Sequence, residues 1–137
     1  LPEHLYKPGY GWGKTVSSNV PPAGVNPVQS SPASGAKAMT IDDYFNLAER
    51  QMNQKDFDGA IRSYSECIKL DPKEAGCYFN RGLAHRSKGN FDASIADFTE
   101  VIRLEPRNER AFINRGLAYN GKKEIEKSIA DYEAALR

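Results

Sequence analysis

The sequence predicts an all-α fold of three stacked helix pairs behind an extended N-terminal arm. Three observations carry this reading. After residue 40 the chain repeats itself every 34 residues: Pro72 and Pro106, Phe45 and Phe79, and Phe57 and Phe91 stand one period apart. Asn46, Asn80 and Asn114 recur at the same step, as do Ile61, Ile95 and Ile129, and Tyr64, Phe98 and Tyr132. The composition changes at the same point, since six of the eight prolines and five of the eleven glycines precede residue 41. Finally, Thr40-Ile41-Asp42-Asp43 reads as a helix start, with a hydroxyl cap and an acid three residues on.

Residues 1–40 read as a Pro-, Gly- and Ser-rich arm, because prolines at 21, 22, 27 and 32 remove backbone donors and no helical period survives. Residues 41–137 form the repeat domain, with units at 41–74, 75–108 and 109–137. Within each unit the apolar residues mark two amphipathic helices. The expected spans are 41–54, 57–70, 75–88, 91–104, 109–122 and 125 to the end. Lys55-Asp56 and Gly89-Asn90 make turns, and Lys123 stands where the second unit has its turn glycine. The third unit stops at Arg137, before its proline would fall, so the face around Ile129, Tyr132 and Leu136 lacks a following repeat. Either a truncated chain or another covering surface is expected there.

A period of this length built from two helices resembles the tetratricopeptide repeat family. Counting each unit so that its proline is position 32, position 8 is Ala48, Gly82 and Gly116, and position 20 is Ala60, Ser94 and Ser128. Small side chains there let two helices cross closely. Position 24 is the large aromatic Tyr64, Phe98 or Tyr132, and position 4 is Tyr44, Tyr78 or Phe112. The resemblance covers residues 41–137 and implies a right-handed α-solenoid whose first helices line a concave groove.

Composition narrows the function. The 137 residues carry 19 basic and 18 acidic side chains, a net charge of +1, so no basic stripe exists to displace counterions from nucleic acid. The longest uncharged stretch, Thr15 to Ala36, is polar and holds four prolines, which excludes membrane insertion through it. Leu1 at the first position suggests a mature or shortened form. Two cysteines and no Asn-x-Ser/Thr acceptor lean toward a cytoplasmic setting, with periplasmic or cytoskeletal assembly left open.

Nothing in the chain assembles into a catalytic set, and no enzyme activity, metal or other cofactor is expected. Gly9-Tyr10-Gly11-Trp12-Gly13-Lys14-Thr15 fails as a phosphate-binding loop, because Pro8 stands where the first glycine belongs and neither strand nor helix flanks it. Tyr6, Tyr10 and Trp12 instead suit docking, since they offer apolar area at low entropic cost. The spacings of His4, His85, Cys67 and Cys77 do not match a metal site. Arg81 with Asp97, and Arg115 with Asp131, occupy positions 7 and 23, where the first unit has Leu47 and Ser63. Each pair is present or absent together, which points to a structural interhelical ion pair.

The resemblance places positions 2, 5, 6, 9, 12 and 13 of each unit in the groove. Position 5 gives an apolar row of Phe45, Phe79 and Ile113, position 6 a row of Asn46, Asn80 and Asn114, and position 9 Glu49, Leu83 and Leu117. Arg110 and Arg86 fall at positions 2 and 12. Carboxamides can pair with both N–H and C=O of a bound backbone. The row resembles the asparagine ladder of O-GlcNAc transferases. It departs from the carboxylate clamp of chaperone-tail binders, where Lys and Asn replace Phe45 and Glu49. The expected function is a protein-interaction module for an extended peptide, or for its own arm in cis or trans. The alternatives are an architectural subunit anchored by the arm, whose Lys7-Pro8-Gly9-Tyr10-Gly11 is similar to segments of filament-lining proteins, and the repeat region of a larger enzyme.

Overall fold

The computed structural model describes residues 38–137, all of whose regular structure is helical. Helices α1 (Ile41–Asn53), α2 (Phe57–Leu70), α3 (Ala75–Ser87), α4 (Phe91–Leu104), α5 (Glu109–Gly121) and α6 (Ile125–Ala135) follow one another as three antiparallel pairs. Their limits fall within two residues of the sequence expectation. Each helix packs on the next, and beyond consecutive neighbours α3 meets α5 most firmly. The first helices of the second and third units therefore approach each other directly.

Local chemistry sets the helix starts. Thr40 Oγ1 accepts from the Asp43 amide at 3.2 Å while Asp43 Oδ2 accepts from the Thr40 amide at 2.9 Å, closing the capping box. Asp56 caps α2 through the Gly59 amide, and Asn108 caps α5 through the Ala111 amide. Position 15 of every unit turns through the left-handed region, at φ 63° in Lys55, 83° in Gly89 and 67° in Lys123. An L-residue with a side chain is strained there by about 1–2 kcal/mol, against about 0.5–1 kcal/mol of extra chain entropy that glycine loses. Lys55→Gly and Lys123→Gly should each therefore raise stability, by about 0.5–1 kcal/mol in urea denaturation. A fall in the midpoint of either variant would show that the lysine stem contributes more than its backbone costs.

The core is built at the unit crossings. Phe45 and Tyr64 meet edge-on at 5.5 Å in the first unit, as do Phe79 and Phe98 at 5.4 Å in the second. Around the first pair Ala48, Met52, Ala60, Cys67, Cys77 and Ala84 close a cluster spanning α1 to α3. Around the second, Ala75, Leu83, Val101 and Ala111 close another spanning α3 to α5. Position 8 must stay small: a Cβ on Gly82 would lie 3.0 Å from the Phe98 ring, and one on Gly116 only 2.7 Å from Tyr132. Ser94 fits under this crossing because its hydroxyl donates to the Gly82 carbonyl at 2.9 Å.

Charged groups lock one unit to the next in a translational pattern. Lys88 at position 14 binds Asp58 at position 18 of the preceding unit, and Lys122 binds Asp92 in the same way at 2.6 Å. The Lys88 ammonium holds the Asp58 carboxyl below its ordinary range.

Candidate functional site

The inner face is set by α1, α3 and α5, and the structure redistributes the rows expected there. Phe45 and Phe79 are fully buried against Tyr64 and Phe98, so two members of the apolar row belong to the core and offer nothing to a ligand. Leu83 is buried with them. On α5 the same positions are open: Ile113 is 38% exposed and Leu117 42%. The third unit has no aromatic at position 5 to reach Tyr132.

The asparagines also part company. Asn46 is exposed, Asn80 is only 1% exposed, and Asn114 is half-buried. Asn114 is held from two sides. Its Oδ1 accepts from Arg86 Nη1 at 2.6 Å, and its Nδ2 donates to the Arg110 carbonyl at 2.8 Å. A ladder of three equivalent carboxamides is thus not what the fold presents, because neighbouring helices consume two of the three. Half-buried Arg110 lays its guanidinium 5.2 Å over the Phe79 ring, sealing that core aromatic from the inner side. Glu49 is half-buried on α1. What remains accessible is Ile113 and Leu117 beside the Arg86–Asn114 hydrogen bond, with Asn46 and Asn120 exposed at other turns. Sequence reasoning assigned all these residues to one face, but missed the Arg86 to Asn114 link between units. The signal available was only an arginine at position 12 preceding an asparagine at position 6.

The Arg and Asp side chains at positions 7 and 23 meet in a two-pronged fork along the Nε–Nη2 edge of the guanidinium. Arg81 Nε and Nη2 donate to Asp97 at 2.9 and 2.7 Å, and Arg115 donates to Asp131 at 2.8 and 2.7 Å. Each remaining Nη1 reaches back one unit, to Ser65 Oγ and to Thr99 Oγ1, both at 3.0 Å. In the first unit, Ser63 donates to Gln51 Oε1 at 2.7 Å instead. The hydrogen bonds that Asp97 and Asp131 accept raise the pKa of the two guanidinium groups above its ordinary range, so the pairs stay charged.

His85 lies beside this network, with Nε2 4.0 Å from Asp97 and a buried Nδ1 that has no hydrogen-bond partner. Burial pushes its pKa down, and Arg81 and Lys88 act in the same direction, while Asp97 pulls it up. The unfolded chain therefore binds this proton more readily than the folded one. Stability should be complete above the ordinary imidazole value of 6.5 and decline as the pH falls below it. His85→Gln, which copies Gln51 of the first unit, should flatten that decline between pH 7.5 and 5.5 in urea titrations. Equal slopes for parent and variant would assign the decline to other groups. Cys67 and Cys77 are both buried and free, and among the described residues no three His, Cys, Asp or Glu side chains gather as a metal site. No described helix is long and apolar enough to cross a membrane. The aromatic docking residues Tyr6, Tyr10 and Trp12 lie outside the described residues.

A family profile described as tetratricopeptide repeat matches residues 79–137, and a second, described as TPR repeat, matches residues 49–89. The chain is a tetratricopeptide repeat protein. Among solved structures, the repeat protein is similar to MamA at 27% identity and TM-score 0.69, over 71% of this chain and 57% of that one. It matches the TPR2B domain of yeast Sti1, solved in complex with pHsp70, at 28% identity and TM-score 0.68, over 72% and 78% of the two chains. The second TPR of Spaghetti (RPAP3), bound to the HSP90 peptide SRMEEVD, shares the fold at 21% identity and TM-score 0.68, over 72% of this chain and 91% of that one. The chain spans little more than half the length of the MamA chains it matches. A comparison with curated protein sequences gives no match. As a tetratricopeptide repeat protein, it is a protein-interaction module.

Proposed function

We propose that the repeats capture an extended segment of another protein along the inner face of α3 and α5, without catalysing a reaction on it. The observation that carries this is the pairing of exposed apolar Ile113 and Leu117 with Arg86 and Asn114 on one strip of surface. The leucine and isoleucine give an apolar side chain somewhere dry to sit, while the Arg86 guanidinium, which Asn114 orients, donates to backbone oxygen. The Sti1 neighbour, a repeat domain solved with a pHsp70 partner, supports this use of the fold.

A test starts from 12-residue peptides displayed on phage and selected on the full chain. The best binder is then measured by calorimetry against the parent and against Leu117→Asp. Because Leu117 is exposed, the variant should melt as the parent does, whereas affinity should fall at least about tenfold, near 1.4 kcal/mol. Selected peptides that bind Leu117→Asp and Ile113→Asp as tightly as the parent would remove the inner strip as the binding site.

A further inference from the structure

The charges at the groove positions are sorted along the array. The first helix contributes only acids there, Asp42 and Glu49, and the later two contribute only bases, Arg86 on α3 and Arg110 on α5. All four are half-buried, and every other groove position is uncharged. Asn114 ties the basic end together, accepting from Arg86 Nη1 at 2.6 Å and donating to the Arg110 carbonyl at 2.8 Å. The exposed apolar Ile113 and Leu117 stand on either side of it along α5. A ligand that fits this face carries a base at one end, an acid at the other and an apolar side chain close to the acid.

The same chain holds such a segment ahead of its repeats. Before Lys37 the arm has three charges, Glu3, Lys7 and Lys14, with Tyr6, Tyr10 and Trp12 among them. Thr15 to Ala36 is uncharged, and so acts as a neutral tether. Because that tether joins α1 at Thr40, an arm folded back on the groove lays its lysines on acidic α1 first and brings its glutamate to α3 and α5 last. The order of charge in the arm and the order of charge in the groove agree in that direction. We infer that residues 3–14 occupy the groove of their own chain, with Lys14 toward Asp42 and Glu49, Glu3 toward Arg86 and Arg110, and Tyr6 on Ile113 and Leu117. The arm is then a built-in competitor that any outside peptide must displace. This rests on the inner strip being the peptide-binding surface.

The distances permit it. Extended, the chain from Glu3 to Lys14 spans at most ~40 Å, enough to cross three first helices at ~8–10 Å apiece. The stretch from Lys14 to Thr40 has an r.m.s. reach of ~25–30 Å, which matches that span. A tether of this reach gives an effective concentration of ~1 mM, so an arm contact with an intrinsic Kd of ~100 µM weakens an outside peptide roughly tenfold.

Trp12 is the only tryptophan, so its fluorescence reports on the arm alone. The experiment compares acrylamide quenching of Trp12 in the full chain with that in a synthetic peptide of residues 1–20. Quenching in the chain should be at least about twofold weaker, since an arm held at ~1 mM effective concentration is bound most of the time. Lys7→Glu with Lys14→Glu should return it to the peptide's value, and adding Asp42→Lys and Glu49→Lys should restore the shielding. The two arm substitutions precede the repeats and leave their packing alone. In calorimetry, the peptide selected on phage should bind the Lys7→Glu, Lys14→Glu chain roughly tenfold more tightly than the parent. Three results would overturn the inference: equal quenching in chain and peptide, shielding that survives Ile113→Asp with Leu117→Asp, or shielding lost on dilution of a chain that sediments as a dimer. The last would make a second copy's arm the occupant. In all three the inner strip stands as a binding surface if the selected peptide still loses affinity on Leu117→Asp. Indifference of both the selected peptide and the Trp12 shielding to Ile113→Asp and Leu117→Asp would remove the strip and the arm together.

Discussion

Phe98→Ala is expected to destabilise the repeats by about 3–5 kcal/mol, the usual range for an aromatic truncated in a core. Phe98 is fully buried, meets Phe79 edge-on and fills the space that Gly82 leaves open. Removing its ring takes away an aromatic contact and a large buried area, and the glycine opposite has no side chain with which to close the gap. The matched control is Ile129→Ala on the exposed face of α6, which should cost less than about 1 kcal/mol. Equal losses for the two variants in urea denaturation would mean that the second crossing is not the centre of the fold.

Asp97→Ala should cost about 2–4 kcal/mol, because it leaves Arg81 partly buried with its two strongest acceptors gone. The solvent still reaching the Arg81 side chain keeps the figure below that of a fully buried pair. The first unit shows how the site can be built without charge, with Leu47 and Ser63 in these places. Arg81→Leu with Asp97→Ser should therefore lose clearly less than the two single changes added together, with a coupling of at least about 1 kcal/mol in the double-mutant cycle. Strict additivity would reduce the bidentate geometry to a crystal-like arrangement of no energetic weight.

How far the sequence could be read depended on whether a property repeats. The helix pairs were legible because apolar spacing and the 34-residue step reinforce one another, and the positions of the Arg–Asp fork because both members are lost together in the first unit. The inner face was less legible. Position 5 has one register but two environments: an aromatic there turns into the crossing to meet Tyr64 or Phe98, while the smaller, branched Ile113 stays outside. Asparagine at position 6 looks alike in three units, yet Asn114 is claimed by Arg86 of the preceding one. Periodicity reveals which residues are equivalent, but a hydrogen bond depends on the residues that differ between units.

The two apolar clusters are centred on the first and second crossings, whereas the residues buried by α6 are Ser128 and Asp131. Cohesion along the array is consequently graded. The arginine forks and lysine bridges tie each unit to the one before, so unfolding cannot begin in the middle without breaking bonds on both sides. Among the described helices it can begin at α6, whose amides need only a local excursion to meet solvent. Among the described helices, the one with the most exposed apolar residues, α6, is also the one that opens most readily, and whatever covers that face would extend the protection of the inner units to it.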